Sequence, residues 1–295
     1  MKALIFGANG QDGYYLHELC KLKGIESVGV SRTGDWVRGD VARYDQVKQL
    51  VREHLPVYVF HVAANSTTRH DAIFENHETI STGTINILEA VKCYSPTTKV
   101  FITGSGLQFK NNGRPISEKD EFEARTPYSV ARIQSVYVAR YYRLLGVRAY
   151  VGYLFHHESP LRKPNHVSKM ITLAAQRIAS GSCEIIELGD VDVEKEWLFA
   201  GDVADGILTL IEQDGMFEAV IGSGVTYSIR DWLEQCFRLI GKKWQDHVRL
   251  RVGFTPEYHR LVSNPATLQA LGWKPKVDLP QLARMMMAGN LEENS

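Results

Sequence analysis

The chain has 295 residues, 44% of them hydrophobic, enough to bury one large α/β core or one core with a smaller lobe attached. Its formal net charge is +0, which removes the electrostatic basis for binding nucleic acid or an anionic membrane surface. No apolar run approaches the ~20 residues a membrane span needs, and the opening apolar stretch is too short for a signal peptide. The cysteines Cys20, Cys93, Cys183 and Cys236 are scattered without metal-ligand spacing. They read as reduced thiols of a cytoplasmic protein, and no metal site is expected.

Ala3 to Phe6 is an apolar run that leads into glycines at positions 7, 10 and 13. An amphipathic stretch follows, with Tyr14, Leu16, Leu19 and Leu22 as its apolar residues. This is the pattern of strand, tight turn and helix. Gly7 permits the turn, Gly10 admits a ligand close to the backbone, and Gly13 lets the helix pack on the strand. The helix start then offers free N–H groups and a positive dipole end to a pyrophosphate. A structural turn is the plain alternative, but the strand–turn–helix context favours a dinucleotide site.

Glu26 to Val30 reads as a second strand ending in Ser31-Arg32-Thr33. An acid here would hold a ribose 2′-hydroxyl, and a base would accommodate a 2′-phosphate; Arg32 therefore favours NADP over NAD. Gly39-Asp40-Val41 reads as a short third strand, with Asp40 and Val41 beside the adenine. A helix is expected over 44–55 and a buried strand over 57–61. Val62-Ala63-Ala64-Asn65-Ser66 is then a turn of small residues for backbone lying against the cofactor. Ile80, Thr84, Ile87, Leu88 and Val91 mark one face of a long helix, and 99–103 the next strand. This alternation predicts a doubly wound parallel sheet, with ligands beyond the carboxyl ends of its strands.

Thr126-Pro127-Tyr128 opens a further helix, with proline suited to its first turn. Its apolar stripe (Val130, Ile133, Tyr137, Val138, Tyr141, Leu144, Leu145) is wide enough for the sheet and a partner helix. With the 80–91 helix it would build a four-helix homodimer interface. After the strand at 147–155 the elements shorten: helix near 166–180, strand 184–188, helix 202–213, strand 217–221, helix 228–240, strand 248–252, and short helices near Pro265 and Pro280. The expected division is a Rossmann-type cofactor domain over 1–155, with returns near 190–225, and a smaller, partly interleaved substrate lobe over 156–295. Glu292 to Ser295 reads as a frayed tail.

These residues resemble the extended short-chain dehydrogenase/reductase family. Within it the likeness is to the GDP-mannose 4,6-dehydratase branch and its 4-keto-6-deoxymannose reductase relatives. Gly7-Ala-Asn9-Gly10-Gln11-Asp12-Gly13 is similar to that branch's opening turn, and Ala63-Ala64 with Ser66 to its fourth-strand turn. Phe155-His156-His157-Glu158-Ser-Pro160 resembles Phe-Asn-His-Glu-Ser-Pro, with His156 in place of asparagine. Leu271-Gly-Trp-Lys-Pro275 is also typical of the branch. The resemblance implies a catalytic set of Ser105, Tyr128 and, at the lysine position, Arg132. In that set tyrosine exchanges a proton with a sugar oxygen, serine positions that oxygen, and a cation stabilises the phenolate. Arginine keeps the charge but is planar and differently hydrated.

The resemblance further implies dinucleotide contacts from Gly7, Asn9, Gly10, Gln11, Asp12, Gly13, Arg32, Asp40, Val41, Ala63, Ala64, Ser66, Tyr128, Arg132 and Phe155. It assigns substrate contacts to His156, His157, Glu158, Arg162, Lys169 and Lys195. Lys195-Glu-Trp197 stands where the branch has Arg-Asp-Trp. An arginine near Thr255-Pro256-Glu257 is usual in the branch; Arg251 and Arg260 both remain open. The branch's dehydratases carry an acid two residues after the serine, where this chain has Leu107. The expectation is an NADP-dependent reductase of a GDP-linked 4-keto-6-deoxyhexose. The alternatives are a dehydratase or epimerase with a relocated acid, and a dinucleotide-binding module without turnover.

Overall fold

A computed structural model describes residues 1–288; the tail reading of 292–295 lies outside the described residues. In chain order β1 (Lys2–Phe6) feeds α1 (Gln11–Leu22), followed by β2 (Glu26–Ser31), β3 (Val37–Arg38) and α2 (Tyr44–His54). Next come β4 (Tyr58–His61), α3 (Ile73–Asn76), α4 (Gly83–Tyr94), β5 (Lys99–Ser105), α5 (Pro127–Leu144) and β6 (Arg148–Leu154). The later part holds β7 (His157–Glu158), α6 (Val167–Ala179), β8 (Ile186–Leu188), β9 (Glu194–Lys195), β10 (Leu198–Phe199), α7 (Ala200–Ile211), β11 (Glu218–Ile221) and, after a short strand at Tyr227–Ser228, α8 (Ile229–Leu239).

Seven strands form one parallel sheet in the order β11-β6-β5-β4-β1-β2-β3. The chain winds outward from β1 through β3, then restarts at β4 on the other side of β1. The strand order therefore reverses at the carboxyl ends of β1 and β4, the place where a parallel sheet opens a crevice for a ligand. Alternation along the strands fills both faces. Leu4 and Phe6 join Val59, Ile87, Val91 and Val136 on one side. Ala3 and Ile5 join Leu16, Phe60, Phe101, Ile207 and Leu208 on the other. A third apolar core lies among α6, α8 and the helix Leu279–Ala288, centred on Trp197 and Trp232, whose rings stack at 4.6 Å. Among the described residues no helix is long and apolar enough to cross a membrane.

Several expectations change. The third strand is Val37–Arg38, not 39–41. Gly39 N–H makes the last bond of the ladder, to the Ser31 carbonyl, and the chain leaves the sheet after it, with Val41 buried in a turn. In α1 the inner face is Gly13, Leu16 and Cys20; Leu22 is 82% exposed and Tyr14 40%. The fourth helix starts earlier, through α3 and a π-helical segment at His77–Thr82. In α5 the sheet-facing side is Ala131, Ser135, Val136, Ala139 and Tyr142, whereas Val130, Tyr137, Tyr141, Leu144 and Leu145 point outward.

Candidate active site

The glycine turn sits at the reversal point, and each glycine has a separate steric reason. Gly7 has φ +97°, and a β-carbon there would lie 2.6 Å from the Ala63 nitrogen. A β-carbon on Gly13 would lie 2.4 Å from the Gly7 oxygen, so the helix and turn touch through backbone alone. On Gly10 it would meet only the Gly7 oxygen, at 3.4 Å. The other side of Gly10 is open for a ligand, and Gly10 is the N-cap of α1. The first amides of that helix have no intrahelical partner and carry its positive dipole end. These residues fit a dinucleotide pyrophosphate.

The side chains of Gln11 and Asp12 point elsewhere. Gln11 donates to the His157 carbonyl at 3.3 Å and accepts from the Ser159 hydroxyl at 2.8 Å. Asp12 Oδ1 lies 2.8 Å from His157 Nε2. The turn is thus fastened to the segment that follows β6. Asn9 donates to Thr33 Oγ1 at 3.2 Å, beyond the end of β2. Arg32, exposed at that end, pairs with Glu75 at 3.1 Å, and Glu75 also accepts from Asn65 at 2.8 Å. Asp40 uses its carboxylate to cap Ala42 N–H, and Val41 is buried over Gly83. Ser66 is exposed in the loop after Ala63 and Ala64.

Ser105 is the last residue of β5 and the N-cap of the 3-10 turn Gly106–Gln108. Its Oγ accepts from Leu107 N–H at 3.2 Å, so its own proton remains to donate to a ligand oxygen. Tyr128 is the second residue of α5, whose start is fixed by the Thr126–Ser129 capping box and Pro127. Tyr128 is 8% exposed and packs with Ile80, Ala131, Ala64 and Leu107. One helical turn on, Arg132 stacks its guanidinium 5.0 Å from the Tyr128 ring centroid and donates Nη1 to the Thr103 carbonyl at 2.5 Å. Arg132 Nε is buried without a partner among the described residues. A buried donor left unmet is costly, and a ribose hydroxyl of a bound dinucleotide would meet it.

Next to this trio opens a cavity of about 540 Å³, walled by Gly106, Leu107, Phe109, Arg125, Tyr258 and Arg260 among others. Arg260 lines it and Arg251 does not, which separates the two arginines the sequence left open. Arg260 also reaches Glu194 at 3.1 Å.

Four of the expected substrate residues form a buried charged chain. Arg162 pairs with Glu158 at 2.6 Å and also donates to the His157 carbonyl. Burial alone would raise the Glu158 carboxyl; Arg162, His156 and Lys195 instead drive it far below the usual carboxylate range. His156 Nδ1 lies 2.8 Å from the Glu196 carbonyl oxygen, and its Nε2 lies 2.8 Å from Glu158 Oε1 and 3.1 Å from Lys195 Nζ. Burial and then Lys195 push the His156 pKa down to about 4, against the pull of Glu158. Burial brings Lys195 down to about 8, against the pull of Glu158. Lys169 donates to the Pro160 carbonyl at 2.8 Å. Phe155 is buried under Gly106 and closes the end of β6.

Some residues of the site escaped sequence reading. Thr103 and His61 lie beneath Arg132: Thr103 Oγ1 donates to the His61 carbonyl at 2.8 Å. His61 is fully buried, and burial together with Arg132 lowers its pKa to about 4. Glu75, the partner of Arg32, is 43 residues away in sequence. No local pattern links such pairs.

Comparison with known proteins agrees with this geometry. The family model described as GDP-mannose 4,6 dehydratase matches residues 31–286. GDP-mannose 4,6 dehydratase 1 of Arabidopsis thaliana is 29% identical, over 98% of this chain and 90% of the relative. The human GDP-mannose 4,6 dehydratase is 26% identical, over 98% and 91%. Among solved structures, RMD from Pseudomonas aeruginosa complexed with NADPH is 23% identical with TM-score 0.84, covering 98% of both chains. The dTDP-glucose 4,6-dehydratase of Bacillus anthracis in complex with NAD is 18% identical with TM-score 0.87, covering 100% of this chain and 97% of the other. These two likenesses establish the fold, a Rossmann-type sheet with an attached lobe.

Proposed function

The chain belongs to the GDP-mannose 4,6 dehydratase family, and from that premise we propose that it is an NADP-dependent reductase of a GDP-linked 4-keto-6-deoxyhexose. The observation that carries this reading is the cavity wall beside Tyr128. Leu107 stands there, and leucine cannot move a proton. The acids of the following loop are not among the cavity's lining residues, and each has a partner. Glu118 accepts from Thr267 at 2.5 Å, Asp120 from Ser117 at 2.7 Å, Glu121 pairs with Lys110 at 3.2 Å, and Glu123 with Arg125 at 2.6 Å. Removal of a sugar C5 proton needs a positioned base, whereas ketone reduction needs only a proton donor at O4.

When bound, the reduced dinucleotide supplies a hydride equivalent to C4. The Tyr128 hydroxyl gives the proton to O4, and the Ser105 hydroxyl donates to the same oxygen and orients it. Arg132, fixed by the Thr103 carbonyl, keeps a cation against the Tyr128 ring as phenolate charge develops. Lys195, Arg162 and Arg260 supply positive charge for the diphosphate. Arg32 selects NADP by replacing its Glu75 partner with a 2′-phosphate. The outward apolar face of α5 supports a homodimer, and β11 in the main sheet supports a cofactor domain over 1–155 with returns near 190–225 and a substrate lobe over 156–295 partly interleaved with it.

Glu257 is the carboxylate in the same cavity wall, and it favours a second reading as a dehydratase or epimerase. Supplying NADPH with a GDP-4-keto-6-deoxyhexose separates the two. The reductase consumes NADPH in step with product. Conversion of GDP-mannose to a 4-keto product without NADPH loss supports the second reading.

A further inference from the structure

Asp12 raises an electrostatic problem. It lies in the first turn of the phosphate-binding helix. A carboxylate there suits the helix dipole but repels a pyrophosphate arriving at the same amides. The structure places one group against it. His157 Nε2 lies 2.8 Å from Asp12 Oδ1, and its Nδ1 lies 2.7 Å from the Phe155 carbonyl oxygen. Both partners only accept, so satisfying both requires both ring nitrogens to carry protons. The ring is held as an imidazolium between two acceptors.

We propose that His157 is a positioning residue for the dinucleotide: its imidazolium cancels the Asp12 charge at the mouth of the phosphate-binding helix. Gln11, bonded to the His157 carbonyl and to Ser159, fixes the two segments in register. The charged groups facing the pair are Arg162 from the loop after β7 and, toward Asp12, Arg132 from α5. Both are permanent cations, so the titrating member is His157. Burial opposes its charged form, yet Asp12 overrides burial and raises its pKa above the ordinary value. Dinucleotide affinity therefore holds at neutral pH and falls as pH rises through the His157 pKa. This inference needs only a dinucleotide at the glycine turn; it rests on that part of the proposed function and not on the direction of the reaction.

The test is dissociation constants for NADPH and NADH between pH 6 and 9, for the full chain and for His157→Gln, Asp12→Asn and the double variant. NADH is included because a 2′-phosphate itself titrates near pH 6. Expected is a weakening of about three- to fivefold for both dinucleotides in the native chain as pH rises, the size of a partly exposed charge pair. His157→Gln should show the weak affinity at every pH, and adding Asp12→Asn should restore it, because no charge is left to cancel. Asp12→Asn alone should show a flat pH profile. If His157→Gln fails to fold, the native and Asp12→Asn profiles still decide. The proposal is overturned if the native profile is flat, if His157→Gln binds like native, or if the double variant stays as weak as His157→Gln.

Discussion

Arg132 donates from Nη1 to the Thr103 carbonyl at 2.5 Å while its guanidinium lies 5.0 Å from the centroid of the Tyr128 ring. The Thr103 carbonyl, two residues before the end of β5, thus sets where the cation sits under the tyrosine. Arg132→Met removes the cation and should lower kcat by about 10²–10⁴, the usual range for assisted proton transfer. Arg132→Lys keeps the charge but loses the planar fork, so a smaller loss, about tenfold, is expected. Steady-state kinetics check both, and a lysine variant faster than native would mean that the native arginine blocks turnover.

The glycines of the opening turn predict two different failures. Gly13→Ala forces a β-carbon to 2.4 Å from the Gly7 oxygen, so it should cost at least ~2 kcal/mol of stability through overpacking. Gly10→Ala meets only one atom, at 3.4 Å. It should leave the melting temperature within about 2 °C of native and weaken dinucleotide binding instead. Thermal unfolding and NADPH titration of the two variants separate these effects.

Arg32 and Glu75 predict the cofactor preference. Their 3.1 Å pair is partly exposed, so a 2′-phosphate can take the place of Glu75 at little cost. Arg32→Ala should weaken NADPH about tenfold or more, the loss of a charge-assisted bond. NADH binding should change less than about twofold. Glu75→Gln should tighten NADPH. Equal losses for both dinucleotides in Arg32→Ala would assign Arg32 a structural role.

His61 predicts acid lability. Its folded pKa is about 4, lowered by burial and then by Arg132, against an ordinary 6.5. The unfolded chain binds the extra proton first, so stability is lost as pH falls through 6.5 toward 4. The loss is on the order of 3 kcal/mol. His61→Gln should flatten this limb of the unfolding free energy measured in denaturant between pH 7 and 4.

The sheet and its switch point were legible because their signals are local, whereas Ser105, Tyr128 and Arg132 were singled out only by the family resemblance. Glycines at fixed spacing, an apolar strand and a capped helix start each act within about a dozen residues. The end of β3 is set by contacts outside its own strand: Gly39 packs against Val30, and Val41 against Gly83, some forty residues on. The inner face of α5 was misjudged for a related reason: alanines and serines pack against the sheet, and the larger residues point out. The placement of Gln11 and Asp12 was half legible. Their backbone lies in the glycine turn, but their side chains answer to His157 and Ser159, about 145 residues on. Glu75, Thr103 and His61 left no trace in spacing because each acts through one long-range contact.

Isotope transfer tests the proposed reaction most directly. Native protein is given NADPH carrying deuterium at nicotinamide C4, on either face, with a GDP-4-keto-6-deoxyhexose, and the product sugar is examined by mass spectrometry and NMR. A reductase places one deuterium at sugar C4 from one of the two labelled faces, and Tyr128→Phe abolishes the transfer. The opposite result is no label at C4, together with, in a parallel incubation of GDP-mannose and NADP in deuterated water, a 4-keto product that gains solvent deuterium at C5 while NADP is regenerated; that would identify a dehydratase and contradict the reductase reading.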